Sequence, residues 1–294
     1  MTSEAISAVF PFESKYVDVL GSKMHYIDEG SGDPILFLHG APTSSYLWRN
    51  IIPHVTSVGR CIAPDLIGHG KSDKPDIEYR FFDHVKYIAG FIDALGLQNI
   101  TLVIHDWGSA LGLHYAVRNE SNIKGIAMME AILMSVPSWD AFPPDFQKMF
   151  KGFRTPEVGW DMVVNQNMFV EGVLPNAIVR DLTEEEMNVY RAPFTDPESR
   201  KPLWRWPNEL PIEGVPADVV EAVDAYGAKL QQSDLPKLLF HATPGALLPP
   251  PMVDWSKEHF SNLKTVDIGQ GIHFLQEDNP HLIGRELAAW YQGL

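Results

Sequence analysis

An α/β protein built on a mostly parallel, doubly wound sheet, with a helical region inserted into it, is what this sequence predicts. Three observations carry the prediction. Short β-branched and aliphatic runs alternate with stretches of helical periodicity over most of the chain. Residues 135–215 interrupt that alternation with a dense mixture of prolines and aromatic side chains. Finally, 294 residues at 45% hydrophobic content are enough to bury one large core.

The elements can be taken in chain order. Tyr16–Leu20 and Lys23–Ile27 flank Gly21-Ser22 and predict an antiparallel hairpin with a tight turn. Ile35–Leu38 and Cys61–Ala63 are short apolar runs that end in Gly- or Pro-bearing loops, as parallel strands do. Val85, Ile88, Ile92 and Leu95 recur at helical spacing, and Gly96 follows as a stop. Further strands are expected at Ile100–Ile104, Ile123–Met128, Lys237–Phe240 and Lys264–Ile268, with a last helix from Pro280 to Trp290. In the interrupting stretch, Thr183 and Glu186 fit a capping box that opens a short helix. This gives a core domain of residues 1–134 and 216–294, with residues 135–215 as a helical cap over the strand C-termini.

Composition excludes several classes of function. A net charge of −15 disfavours nucleic acid and anionic membranes as partners. One cysteine, Cys61, allows no internal disulfide framework or cysteine-based zinc site, and its strand setting predicts a buried thiol. The first residues lack a basic n-region, and no run of about 20 apolar residues occurs. The expectation is a cytoplasmic protein that needs no metal.

The chemistry centres on Ile100-Thr-Leu-Val-Ile-His-Asp-Trp-Gly-Ser-Ala-Leu-Gly112. Strand, sharp turn, small residue two positions after a polar one, then helix: this is the nucleophile elbow of an α/β-hydrolase fold, with Asp106 where the serine form has its hydroxyl. A carboxylate is already anionic at neutral pH and is suited to displacing a leaving group from carbon, leaving an ester on the enzyme. Hydrolysis of that ester needs a base to activate water. His273, in the loop after the last strand, stands where this fold presents its histidine, while His105 is expected to pack behind the elbow. A carboxylate must orient that histidine. Glu130, at the tip of its strand, is preferred over Asp254, which lies well beyond the end of the Lys237–Phe240 strand. The loop His39-Gly40-Ala41-Pro42 is expected to supply half of an oxyanion hole through the backbone N–H of Ala41, the other half coming from that of Trp107. Asp65–Ser72 reads as a structural turn. The Trp107 indole, a donor with no acceptor capacity, suits a large, soft leaving anion. Phe142, Phe150, Phe153, Phe169, Leu247 and Phe274 are the candidate lining of an apolar pocket.

Together with Tyr46–His54, Cys61–Gly68, Phe194–Pro211 and Leu275–Pro280, these motifs resemble the haloalkane dehalogenases, in the branch with an Asp–Glu–His triad. The resemblance spans nearly the whole chain. It implies that Asp106 displaces halide by SN2 attack, that Trp107 donates to the halide, and that His273, oriented by Glu130, activates the water that cleaves the alkyl ester. It also implies small apolar halogenated substrates, with water as co-substrate and no cofactor; a monomer is the expected state. One position departs from the pattern: the branch has Asn where this chain has Ala41, so a side-chain amide donor to the halide is absent. A cap donor such as Trp139 is one candidate replacement. Two rival activities share the scaffold. Epoxide hydrolases need two cap tyrosines, and residues 135–215 hold only Tyr190. A cofactor-free oxygenase like the coelenterazine luciferase is kept open by Ala41. A non-catalytic binding protein fits least, since Asp106, Glu130 and His273 are all present.

Overall fold

The computed structural model describes residues 5–294. Eight strands form one sheet: β1 Lys15–Val19, β2 Ser22–Glu29, β3 Pro34–Leu38, β4 Arg60–Pro64, β5 Ile100–Asp106, β6 Ile123–Ala131, β7 Lys237–Pro244 and β8 Leu263–Gly271. Their spatial order is β1-β2-β4-β3-β5-β6-β7-β8. From β4 across to β8 all neighbours run parallel, and only β2 runs against its neighbours. The doubly wound α/β expectation therefore holds. The predicted hairpin slips by one residue. Val19 pairs with Ser22, so the turn is Leu20-Gly21, both with positive φ (50° and 81°), as a type I′ turn requires.

β3 and β5 are buried along their whole length, which is why they read as unbroken apolar runs instead of alternating ones. The helix Trp107–Ala116 sits behind β5 and packs against helices Phe81–Ala94 and Ala217–Gln232. It is buried on nearly every side, and Gly108, Ser109, Ala110 and Gly112 keep it thin enough for that position. The helix Pro280–Tyr291 packs on β7 and β8.

Between β6 and β7 the chain leaves the sheet for a series of short helices, among them Pro144–Phe153, Glu184–Arg191 and Lys201–Glu209. The predicted capping box is present: Thr183 Oγ1 accepts from the Glu186 N–H at 3.2 Å, and Glu186 Oε2 accepts from the Thr183 N–H at 2.8 Å. The helix Pro144–Phe153 stacks Phe146 on Phe142 and Phe150, with ring centroids 4.5 and 4.0 Å apart. Residues at the C-terminal ends of β3, β5, β7 and β8 line one cavity together with residues of this insertion. Among the described residues no helix is long and apolar enough to cross a membrane, and no group of three or more His, Cys, Asp or Glu could hold a metal ion.

Candidate active site

β5 ends at Asp106 with φ 49° and ψ −130°, and the following helix starts at Trp107. A non-glycine residue there costs about 1–3 kcal/mol and persists only when its surroundings hold it. Two neighbours do so. Gly108 lies so close to β3 that a Cβ would fall 2.2 Å from the Leu38 carbonyl oxygen. Ser109 Oγ donates to the Asp106 carbonyl at 2.5 Å and accepts from the Ile132 N–H at 2.9 Å, tying the elbow to the end of β6.

The loop after β3 closes over the carboxylate. Gly40 has no room for a side chain, since a Cβ would sit 2.0 Å from Asp106 Oδ2. The next backbone N–H, that of Ala41, donates to Oδ2 at 3.0 Å, and the Trp107 N–H also bonds to the carboxylate. His39 fixes this loop, its Nδ1 donating to the Gly40 carbonyl at 2.7 Å and its Nε2 accepting from the Leu66 N–H at 2.9 Å. Asp65 has a structural position, accepting from the N–H groups of Ser45 and Lys71 at 2.7 and 2.8 Å and facing His25 Nδ1 at 2.8 Å.

Glu130 reaches the site through a bulge. In the β5–β6 ladder Met129 is opposite His105 and Ala131 opposite Asp106, leaving Glu130 unpaired with φ 42°. Such an extra residue bends the strand and re-aims its side chain. The buried carboxylate accepts from the N–H groups of Ala246 and Leu247 at 3.0 and 2.7 Å, and from that of Leu248 at 3.3 Å. Its Oε2 also meets His273 Nδ1 at 3.2 Å, so a carboxylate there makes Nδ1 the donor. The other ring nitrogen, Nε2, faces Asp106 Oδ1 at 3.7 Å. The backbone of His273 is pinned on both sides: its N–H donates to the Ala177 carbonyl at 3.0 Å, and its carbonyl accepts from His105 Nε2 at 2.9 Å. Asp254, the alternative acid, pairs with Lys257 on the exposed face of another helix.

Burial pulls the His273 imidazole toward a low pKa, but the hydrogen bond to Glu130 and the charges of Asp106 and Glu130 outweigh it and leave the pKa raised. Burial raises that of Asp106, against the opposing pull of His273 and the N–H groups of Trp107 and Ala41. His105 is kept neutral by burial.

The Trp107 ring stacks on Trp206 of the insertion at 4.5 Å. Trp206 stacks in turn on His84 at 4.2 Å, and its Nε1 donates to His69 Nε2 at 3.3 Å. Among the described residues nothing accepts a hydrogen bond from the Trp107 indole N–H, and Trp107 lines a cavity of about 600 Å³ together with Asp106, His273 and Ala41.

These features can be set beside known proteins. The alpha/beta hydrolase fold family model matches residues 33–280. A haloalkane dehalogenase from Mesorhizobium japonicum is 50% identical over 278 residues, covering 93% of this chain and 89% of the relative. One from Bradyrhizobium diazoefficiens is 45% identical over 302 residues, 98% and 97% of the two chains. The chain belongs to the haloalkane dehalogenase family. The solved structure of the Bradyrhizobium elkani haloalkane dehalogenase is similar at a TM-score of 0.94 and 48% identity, over 96% of this chain and 98% of that one. A putative ancestral haloalkane dehalogenase gives 0.93 and 51%, over 95% and 98%.

Among the candidates for the pocket of this dehalogenase-family chain, Phe150, Phe169, Leu247 and Phe274 line the 600 Å³ cavity. Phe153 does not. It is wholly buried and packs on Phe150 and Phe169 from behind. Phe142 lines a smaller neighbouring cavity of about 170 Å³ instead. Trp139 packs near Phe142 and under Lys151 and Arg154, away from the cavity, and so is no substitute for the missing amide donor. Helical spacing alone does not distinguish an aromatic ring that faces a cavity from one that faces the core. No motif in the sequence points to Trp206 as a neighbour of Trp107, or to His69 as the acceptor of the Trp206 N–H. The aromatic-rich Leu203-Trp-Arg-Trp-Pro207 on its short helix was the available signal.

Proposed function

We propose that this chain hydrolyses haloalkanes to an alcohol and halide through an ester on Asp106, in a cavity closed by residues 135–215 as a cap. The observation that carries the reading is the meeting of a carboxylate with an unpartnered indole donor in a largely apolar cavity. Asp106 Oδ1 attacks the halogen-bearing carbon, and the halide leaves with the bonding pair toward the Trp107 N–H. The oxygen held by Ala41 becomes the ester carbonyl oxygen. A water in the gap between His273 Nε2 and the ester then attacks the carbonyl carbon and gives its proton to Nε2. Charge developing on the carbonyl oxygen falls on the N–H groups of Ala41 and Trp107. Collapse expels the alkoxide, which takes the proton back from His273. The reading requires no cofactor and no partner subunit, and we place the working protein in the cytoplasm as a monomer.

Halide release across a small panel of 1-chloro- and 1-bromoalkanes tests this activity. Absence of release from every member would overturn it. The epoxide reading loses support from Tyr190, the one tyrosine of residues 135–215, because its hydroxyl is given to Glu277.

Ala41 lines the cavity beside the nucleophile, so Ala41→Asn would place an amide there. A hydrogen bond to a charged partner is worth roughly 1.5–3 kcal/mol, which corresponds to about a ten- to hundredfold gain in kcat/KM for a 1-bromoalkane if it is realised in the transition state. Unchanged turnover would mean that another donor already holds the halide.

The two steps should also separate by pH. Ester formation needs ionised Asp106, so its rate is expected to fall as pH drops through that group's raised pKa. Ester decay needs neutral His273, so its rate is expected to rise with pH through the imidazole pKa. Alkylation removes the Asp106 charge, which leaves Glu130 as the main group raising that pKa and moves it down in the intermediate. Single-turnover rates measured against pH check both signs, and decay that quickens at acid pH would contradict a histidine base.

A further inference from the structure

Away from the reacting atoms, the protein buries a charged cluster that the chemistry above does not use. Arg49 gives both terminal nitrogens to Glu277, at 2.6 and 2.9 Å, and one of them also to Glu186 at 2.7 Å. Arg180 reaches the same two carboxylates, at 2.5 Å to Glu277 and at 2.6 and 2.9 Å to Glu186. The Tyr190 hydroxyl donates to Glu277 as well. The side chains of Arg49, Glu186 and Glu277 are at most 1% exposed, and that of Arg180 is 24% exposed. Two cations thus match two carboxylates, and each charge is paired in several directions.

The cluster joins three segments, two of which hold His273 in place. Glu277 lies in the helical turn Leu275–Asp278, which begins two residues after His273. Arg180 belongs to the insertion segment whose Ala177 carbonyl accepts the N–H groups of His273 and Phe274, at 3.0 and 3.2 Å. The docking is reinforced by Asp278, whose Oδ1 accepts from the N–H groups of Val179 and Arg180 at 2.9 and 3.0 Å, and by Arg180 Nε, which donates to the Glu277 carbonyl at 2.6 Å. Arg49 comes from the continuation of the loop that carries Ala41.

A buried ion network is weak evidence of stability, because apolar replacements of similar volume are often as stable. Its geometric effect is more specific. Hydrolysis depends on where His273 Nε2 holds a water, and a displacement of about 1 Å can cost on the order of a hundredfold in rate. Ester formation makes no use of the imidazole as a base. We propose that Arg180, with Arg49, Glu186 and Glu277, is a positioning residue that fixes His273 opposite Asp106 and so serves ester hydrolysis, not ester formation. The proposal rests on the covalent reading above.

The test is a rapid-quench single turnover with 1-bromobutane, following formation and decay of the alkylated Asp106 peptide by mass. Arg180→Met is expected to leave formation within about twofold of the parent rate and to slow decay about tenfold, with Arg180→Lys in between. Decay at the parent rate, or equal slowing of both steps, would overturn the proposal. If the methionine variant does not fold, the lysine variant decides by the same criterion, since it keeps the charge but loses the forked donors. His273→Phe serves as the control. If it accumulates no ester, the covalent reading itself fails; if it accumulates ester while the Arg180 variants decay normally, only the positioning role fails.

Discussion

Asp106→Asn is expected to reduce halide release by at least about a thousandfold, because a neutral amide is a poor nucleophile. Glu130, the carboxylate that meets His273, is occupied by three backbone N–H groups and His273 Nδ1. The same substitution should not weaken the fold. Burial raises the Asp106 pKa above its unfolded value, so the stability linked to this group is present at low pH and is lost as pH rises through the folded pKa. At neutral pH the ionised carboxylate is therefore a cost to the folded state, and the asparagine removes it. The thermal midpoint is expected to be equal to or above that of the parent, which separates loss of chemistry from loss of structure. Bromide release from 1-bromobutane, measured beside a melting curve, checks both, and undiminished release would sink the covalent mechanism.

His273→Phe has the second large effect, and it falls on the other step. Asp106 and its donors remain, so halide should still be released once, in an amount equal to the enzyme. Turnover then stops, because no base takes the proton from the attacking water. A covalent adduct should be found on the Asp106 peptide with the mass of the alkyl group. His273 packs against His105 with ring centroids 4.7 Å apart, and the phenyl ring retains that contact. Continued release beyond one equivalent would show that hydrolysis has another base.

Asp106, Glu130 and His273 were legible in the sequence because each stands at a strand end, and strand ends are marked by local signals. A buried β-branched run followed by Asp-Trp-Gly and a helix of small residues announces the elbow without any knowledge of the rest of the chain. The means by which Glu130 turns into the site was not legible. A one-residue bulge leaves no mark on composition, although it decides which side chain of β6 faces His273. The hairpin slip at Leu20-Gly21 has a similar origin, since two overlapping dipeptides offer a glycine and only the pairing register chooses between them. The helix Pro144–Phe153 did carry a pattern in Phe146, Met149, Phe150 and Phe153, but the surrounding prolines obscured it. Long-range assemblies were out of reach. Arg49, the Arg180–Glu186 segment and Glu277 come from distant parts of the chain, as do His84, Trp206 and Trp107, and nothing local announces that these parts meet.

One measurement separates an ester on Asp106 from direct attack of water on the substrate: a single turnover in water enriched in oxygen-18, with enzyme in excess over 1-bromobutane. If Asp106 forms the ester and water attacks its carbonyl carbon, the alcohol takes its oxygen from the carboxylate. The butanol is then unlabelled, and the Asp106 peptide gains the heavy isotope. Labelled butanol with an unlabelled Asp106 peptide would contradict the covalent reading.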